Sequence, residues 1–262
     1  MVMSATPRLF VESDLIVGGV VRLIEEQAHY LTRVMRLKPG APVRVFNGRD
    51  GEFDAELGAA AKNSAELRIG GQVRSQQAPP DLWLLFAPLK KTRTDFLVEK
   101  AVELGVGEIC PVITERCEAQ AVRSDRLQRI AIEAAEQTER LEVPPVREAQ
   151  RLDGALKGWD PSRLLYFCDE AGEDGDRPWG GESGRAAPMV DVLKHAPSAA
   201  GAVLIGPEGG FSPTERRMLR SLDFVRPVSL GPRILRAETA AAAALTIWQA
   251  IAGDWRAARQ SH

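Results

Sequence analysis

The sequence predicts an α/β protein in two parts: a small β-rich barrel, then a larger, mostly parallel sheet flanked by helices. Three observations carry this. Strand-like alternation dominates residues 1 to 74. A polar stretch with two prolines, Ser75-Gln-Gln-Ala-Pro-Pro-Asp81, then interrupts the chain. Beyond it, short apolar runs alternate with amphipathic segments of helical length, the pattern of βα units. The expected domains are 1–74 and 82–262, joined by a linker at 75–81.

In the first part, Val17-Gly-Gly-Val20 suggests a tight turn. Glu25 to Met35 has helical spacing at Ala28, Leu31 and Met35. Val43 to Leu57 alternates apolar and polar residues on both sides of Asn47-Gly48 and Asp50-Gly51, a hairpin signal. Ala65 to Ile69 adds a further strand, and several short strands with one helix suggest a small barrel.

In the second part, Leu82 to Ala87 is a buried-strand run. Thr94 to Leu104 is an amphipathic helix stopped by Gly105, which reads as a C-cap because it follows a helix. The Ile109 to Ile113 region is a strand. Ser124 to Leu141 is a long helix that ends before Pro144-Pro145. Leu164 to Cys168 is a strand, Met189 to His195 a short helix and Ala202 to Ile205 a strand. Gly172 to Pro188 is Gly-rich and acidic and reads as a mobile loop or insertion.

Composition narrows the function classes. The net charge of −2 excludes a strongly basic nucleic-acid coat but leaves room for a specific binder with a local basic face. No apolar run approaches the roughly 20 residues that span a bilayer. The N-terminal residues lack a signal-peptide apolar core. Cys110, Cys117 and Cys168 show no disulfide-framework spacing, and Cys110 and Cys117 read as small core or surface residues. The expectation is a reduced, cytoplasmic protein. With only His29, His195 and His262, neither a histidine metal site nor a Ser-His-Asp triad has motif spacing. No metal is called for. Neither a Gly-x-Gly-x-x-Gly fingerprint nor a Walker A sequence occurs, which disfavours dinucleotide and phosphate-loop enzymes.

Two C-terminal stretches carry the chemistry. Each is a short apolar strand that ends in a glycine-proline loop and enters a helix: Val203 to Glu215 and Ser229 to Leu245. Loops at neighbouring strand ends can form one binding cleft. In the first, Gly206 ends the strand, and Gly209-Gly210 lets backbone approach a ligand without a Cβ clash. Ser212-Pro-Thr-Glu215 follows as a capping box with proline at the first helical position. In the second, Arg233, Arg236 and Glu238 gather at a helix start. The alanines from 240 to 244 fit either high-propensity filling or a close helix contact, for instance across a dimer. Basic residues group at Arg33, Arg36 and Lys38, and again at Lys90, Lys91 and Arg93. Together they suggest an RNA-binding surface, to which Arg8 is added. Gln137 and Arg140 share a helix face. They fit either contact with RNA or bracing of the fold, and bracing is favoured because Glu136 can pair with Arg140 locally.

The chain resembles the RsmE family of 16S ribosomal RNA uridine-N3 methyltransferases, in the SPOUT (α/β-knot) superfamily. The segments that carry the resemblance are His29 to Gly40, Glu99 to Val106, Ala134 to Arg140 with Val143-Pro144, Leu204 to Phe211, and Leu230 to Ala240. The resemblance implies a PUA-like β-barrel that docks RNA, followed by a SPOUT trefoil-knot methyltransferase domain. It implies S-adenosylmethionine as cofactor, 16S rRNA in the small ribosomal subunit as substrate, and a homodimer. Three knot loops would hold the cofactor. The first is Cys168 to Ala171, with Cys168 and Asp169. The second contributes Ile205, Gly206, Pro207, Glu208, Gly209 and Gly210. The third contributes Leu230, Gly231, Ile234, Leu235 and Arg236, followed by Thr239.

The implied reaction moves a methyl group from a sulfonium to uridine N3, whose proton must leave. A cation beside the uracil stabilises the developing imide anion. Arg236 is the first candidate for that role and Arg233 the second. Glu238 or Glu208 orients the arginine or takes the proton. Two rival readings stay open: a SPOUT enzyme that methylates the ribose 2′-hydroxyl, and a non-catalytic ribosome-assembly factor on the same fold.

Overall fold

The computed structural model describes residues 6–61, 64–118, 122–169, 186–195 and 200–255. Most of the Gly172 to Pro188 stretch, expected to be a loop or insertion, lies outside the described residues, as do residues 170 and 171 of the first expected cofactor loop. Two compact units form. The first comprises Met1–Ala78 with Ile132–Val143, and the second Pro79–Ala131 with Pro144–His262. The sequence boundary at 75–81 thus marks one crossing between units, and residues 132–143 add two that composition did not signal.

The first unit is a five-stranded sheet in the order β1-β3-β4-β5-β2. Its strands are β1 (Arg8–Phe10), β2 (Val20–Arg22), β3 (Pro42–Phe46), β4 (Glu52–Ala60) and β5 (Ala65–Arg74). β3 and β4 form the expected hairpin, with Val43 opposite Ala55 and Val45 opposite Phe53. All four are buried, so the alternation read from the sequence does point one face inward. β1 pairs parallel to β3, whereas β2 pairs antiparallel to β5. The helical stretch has two parts: α1 (Glu25–His29) and a π-helical turn, Tyr30–Val34. Ala28 and Leu31 are buried as expected, but the wider π turn leaves Met35 only half-buried.

The second unit is a six-stranded parallel sheet in the order β11-β9-β10-β6-β7-β8. Its strands are β6 (Asp81–Phe86), β7 (Glu108–Ile113), β8 (Gln150–Arg151), β9 (Leu164–Cys168), β10 (Ala200–Ile205) and β11 (Val225–Val228). The helices are α2 (Lys91–Glu103), α3 (Ser124–Gln137), α4 (Leu152–Ala155), α5 (Met189–His195), α6 (Pro213–Arg220) and α7 (Ala237–Ile251).

Both faces of the second sheet are covered, which is why its central strands are near-continuously apolar. Leu85, Ala202, Leu204, Leu165 and Phe167 pack with Leu152, Leu156 and Leu219 of α4 and α6. On the other face, Gly201 of β10 lies against the Trp248 ring of α7. α7 also packs against α2 and α5. Ala240, Ala241 and Ala244 are buried. Close packing inside this unit therefore accounts for those alanines, and no second chain is needed to explain them.

The end of β11 has one unusual neighbour. The backbone of Ser229 hydrogen-bonds to both Ala187 and Met189, so the chain leaving β11 runs beside the chain entering α5. An ordinary doubly wound sheet does not require this adjacency.

Candidate functional site

Parallel strands deliver their following loops to one edge of the sheet, and β11, β9, β10 and β6 are consecutive there. A pocket opens at this edge, lined by Cys168 from the end of β9, Val228 and Ser229 from the end of β11, and Leu230, Gly231, Arg233 and Leu235. This is the carboxyl-edge position expected for a ligand of an α/β sheet. Gly231 has φ +115 with nothing within 4 Å of a Cβ placed there. The loop therefore adopts a backbone only glycine takes readily, and it does so facing open space. The backbone N–H groups of Leu230, Arg233, Ile234 and Leu235 donate to no described residue. Leucine and valine walls with free backbone donors suit a flat heterocycle whose edge is read by main chain.

The second loop turns tightly after β10. Gly210 N–H donates to Pro207 O at 2.9 Å, and Gly210 has φ +66. Gly206 has a different reason for being glycine. A Cβ there would lie 2.6 Å from the Phe211 ring, which packs edge-on against Phe167. Gly206, which ends the strand as read, thus meets a packing requirement. Gly210 faces open space, whereas a Cβ on Gly209 would touch Arg116. Arg116 Nη1 donates to Gly209 O at 3.1 Å. The capping box forms as read: Ser212 Oγ accepts from Glu215 N, and Glu215 Oε2 accepts from Ser212 N. The other Glu215 oxygen takes the N–H of Glu115, tying the loop to the segment after β7.

Apart from the three glycines of the second loop, the expected site residues divide into four groups. Cys168, Leu230, Gly231, Arg233 and Leu235 line the pocket together. Arg236, at the N-cap position of α7, Ile234 and Thr239 are exposed, and Ile234, 62% exposed, is absent from the pocket wall. Asp169, Glu208 and Glu238 have protein partners. The Asp169 carboxylate is 3% exposed and accepts from Arg216 Nε at 3.1 Å and Arg220 Nη2 at 2.8 Å. Its side chain anchors α6 to the end of β9, a pairing of distant residues that spacing does not reveal. Glu208 Oε1 accepts from Arg93 Nη1 at 3.1 Å, and Glu238 Oε1 lies 3.8 Å from Arg93 Nε. Ile205 and Pro207 are buried.

Among the basic residues expected to meet RNA, Arg33, Arg36, Lys38, Lys90 and Lys91 are exposed. Arg8 is not. Its side chain is 10% exposed and pairs with Glu52 at 2.6 Å. Its guanidinium also donates to the carbonyls of Ala135, Glu136 and Arg140 and lies 4.5 Å over the Phe46 ring. These are carbonyls at and just past the C-terminal end of α3, where a helix has unpaired acceptors. Arg8 is an internal clamp, and its assignment to RNA is corrected. Arg140 pairs with Glu142. Glu136 instead accepts the N–H of Phe10 at 2.9 Å, and burial pushes its carboxyl up to about 7. Arg140 O accepts from Arg8, so this segment braces the first unit. Burial also pushes the half-buried Cys110 thiol up to about 12, which keeps it protonated and unreactive.

Comparison with known proteins agrees with this geometry. The family described as RNA methyltransferase domain matches residues 76–249, and the family described as RNA methyltransferase PUA domain matches residues 23–70. The chain is 31% identical to the ribosomal RNA small subunit methyltransferase E of Rickettsia conorii, over 91% of this chain and 93% of that protein. It is 33% identical to the protein of the same name from Synechocystis, over 91% of this chain and 75% of that one. Among solved structures it is similar to the ribosomal RNA small subunit methyltransferase E of Neisseria gonorrhoeae bound to S-adenosyl methionine. That match has a TM-score of 0.79 and 31% identity, and covers 95% of this chain and 99% of the other.

Proposed function

Because the chain belongs to the ribosomal RNA small subunit methyltransferase E family, we propose that it transfers a methyl group from S-adenosylmethionine to N3 of a uridine in the 16S RNA. The observation that carries this is the pocket at the strand ends, where free backbone donors and apolar walls come together beside two arginines. Leu230, Gly231 and Leu235 with Cys168 fit the adenine end of the cofactor. Gly209 and Gly210 border the space for the remainder.

When bound, the cofactor supplies an electrophilic methyl group on a positively charged sulfur. The chain's own residues must handle the uracil. Its N3–H is lost, so negative charge develops on the imide. Arg236, exposed at the N-cap of α7, and Arg233, on the pocket wall, present cations where that charge forms. Glu238 lies two residues after Arg236 in the first turn of α7, with its Oε2 closed from solvent and without a partner among the described residues. This makes Glu238, rather than the 40% exposed Glu208, the candidate that orients an arginine or accepts the proton. Thr239 and Ile234 face outward beside Arg236 and fit the approach of the substrate.

The first unit, with its PUA-domain match, is proposed to dock the RNA through Arg33, Arg36 and Lys38. A homodimer, an assembled small subunit as substrate and a cytoplasmic location complete the proposal. No helix among the described residues is long and apolar enough to cross a membrane. The test is to incubate the purified protein and the cofactor with small subunits that lack the modification, then digest the RNA and identify the product nucleoside by mass spectrometry. The expected product is 3-methyluridine. A 2′-O-methylated nucleoside would overturn the N3 assignment, and no product together with no cofactor binding would favour an assembly factor.

A further inference from the structure

Helix α2 begins with Lys90, Lys91 and Arg93 and has no acidic residue in its first turn. Cations at a helix N-terminus oppose the helix dipole, so each needs another reason to be there. The three are not equivalent. Lys90 and Lys91 are exposed, and neither forms an ion pair with a described residue. Arg93 is held from two sides, by Glu208 at 3.1 Å and by Glu238 at 3.8 Å. Glu208 belongs to the turn after β10. Glu238 lies in the first turn of α7, directly after the pocket loop. One guanidinium on a separate helix therefore bridges the two segments between which the cofactor is placed. Glu238 is 13% exposed, and its second oxygen has no partner. Arg93 is thus the cation that compensates a largely buried carboxylate. An arginine suits this role because its planar fork reaches two carboxylates at once, whereas a lysine ammonium is a point charge.

We propose that Arg93 is a positioning residue for methyl transfer: it ties the Glu208 turn to the start of α7 and fixes the spacing of the two cofactor loops. This rests on the methyltransferase reading above, and it takes Arg93 out of the RNA-binding group to which its neighbours Lys90 and Lys91 belong. Three measurements on the full chain separate the roles. They are S-adenosylmethionine affinity by calorimetry without RNA, the single-turnover methylation rate at saturating RNA, and the dependence of RNA affinity on salt.

For Arg93→Ala, cofactor affinity is expected to fall about tenfold and the single-turnover rate about tenfold to a hundredfold, the scale of a loss of positioning. RNA affinity and its salt dependence stay as in the wild type. Arg93→Lys recovers part of the loss. Adding Glu208→Gln to Arg93→Ala costs little more, because both changes cut the same tie.

The proposal is overturned if Arg93→Ala leaves cofactor affinity and rate unchanged. It is also overturned if the variant instead lowers the salt slope by about 0.7, the value of one contact to a single-strand phosphate. If Arg93→Ala does not fold, Arg93→Lys carries the same comparison, with a several-fold loss of cofactor affinity expected and wild-type affinity overturning the idea. A wild-type protein that binds no S-adenosylmethionine would overturn the methyltransferase reading and this one with it. Normal wild-type methylation beside an unaffected Arg93→Ala would overturn this one alone.

Discussion

Two residues of the first unit set its stability in opposite directions. The Glu52 carboxyl is pushed up by burial, but hydrogen bonds from Arg74 and Arg8 outweigh this and hold it below the usual carboxylate range. A depressed folded-state value means that its contribution is present at neutral pH and is lost as pH falls below about 4.5. Glu136 is the reverse case, raised from 4.5 to about 7, with burial the main cause. The folded state then binds more protons than the unfolded one across that interval, so stability declines as pH rises through it. Glu136→Gln keeps an acceptor for the Phe10 N–H and removes the charge. It is expected to abolish this decline and to stabilise the protein at pH 8 by ~2 kcal/mol, a value discounted for partial exposure. Urea unfolding of both proteins at pH 5 and pH 8 checks it, and a wild-type curve flat over this range would refute the assignment. Arg8→Ala leaves Glu52 short of a partner and the end of α3 uncapped. The expected cost is about 3–5 kcal/mol, that of breaking a buried pair, with the salt slope of RNA binding unchanged. An altered slope with normal stability would restore Arg8 to the RNA surface.

At the scale of elements, two contacts decide how the site is built. The first is Asp169 at the end of β9, which receives Arg216 and Arg220 from α6. Asp169→Ala leaves two guanidinium groups without their carboxylate, and a loss of about 3–5 kcal/mol is expected in denaturant unfolding. A loss below about 1 kcal/mol would mean that the pair is no better than a surface bridge. The second is the start of α2. Lys90→Gln or Lys91→Gln relieves an unfavourable helix-end charge and is expected to raise stability by about 0.3–1 kcal/mol. Each is also expected to weaken RNA binding and lower its salt slope by about 0.7. Greater stability with unchanged RNA binding would make the lysines a solvated face.

These contacts also show why part of the site was legible in sequence and part was not. The Ser212–Glu215 cap, the β3–β4 hairpin and the strand ends at Ile205 and Cys168 depend on residues within a few positions of one another, and period and turn chemistry report them directly. Arg8 meets α3 more than 120 residues later, and Asp169 meets α6 about 50 residues later. A buried arginine has the same letter as an exposed one, so Arg8 was read by charge alone. β1, β2, β8 and α4 have only two to four residues each and too few repeats to show a period. The Phe211 ring that requires glycine at 206 becomes its neighbour only once the loop has folded back.

For the whole molecule, binding must appear as stability in the unit that binds. All five tryptophans, Trp83, Trp159, Trp179, Trp248 and Trp255, belong to the second unit, so tryptophan fluorescence follows that unit alone. S-adenosylmethionine at a hundred times its dissociation constant stabilises the state that binds it by about 2.7 kcal/mol. For a unit of this size that is a rise of roughly 5–10 °C in the fluorescence midpoint. No described residue of the first unit lines the pocket, so the amides of β3, β4 and β5 are expected to have no direct share in this gain. Helix α3 passes from one unit into the other and is one of three covalent crossings through which they could couple. Hydrogen exchange with and without the cofactor separates the two cases. Slowed exchange is expected in β9, β10, β11 and the first turns of α7, with little change in β3 to β5. Equal slowing in both units would show that they unfold as one cooperative body. Slowing confined to β3 to β5 would place the ligand in the wrong unit and remove the basis for the pocket assignment.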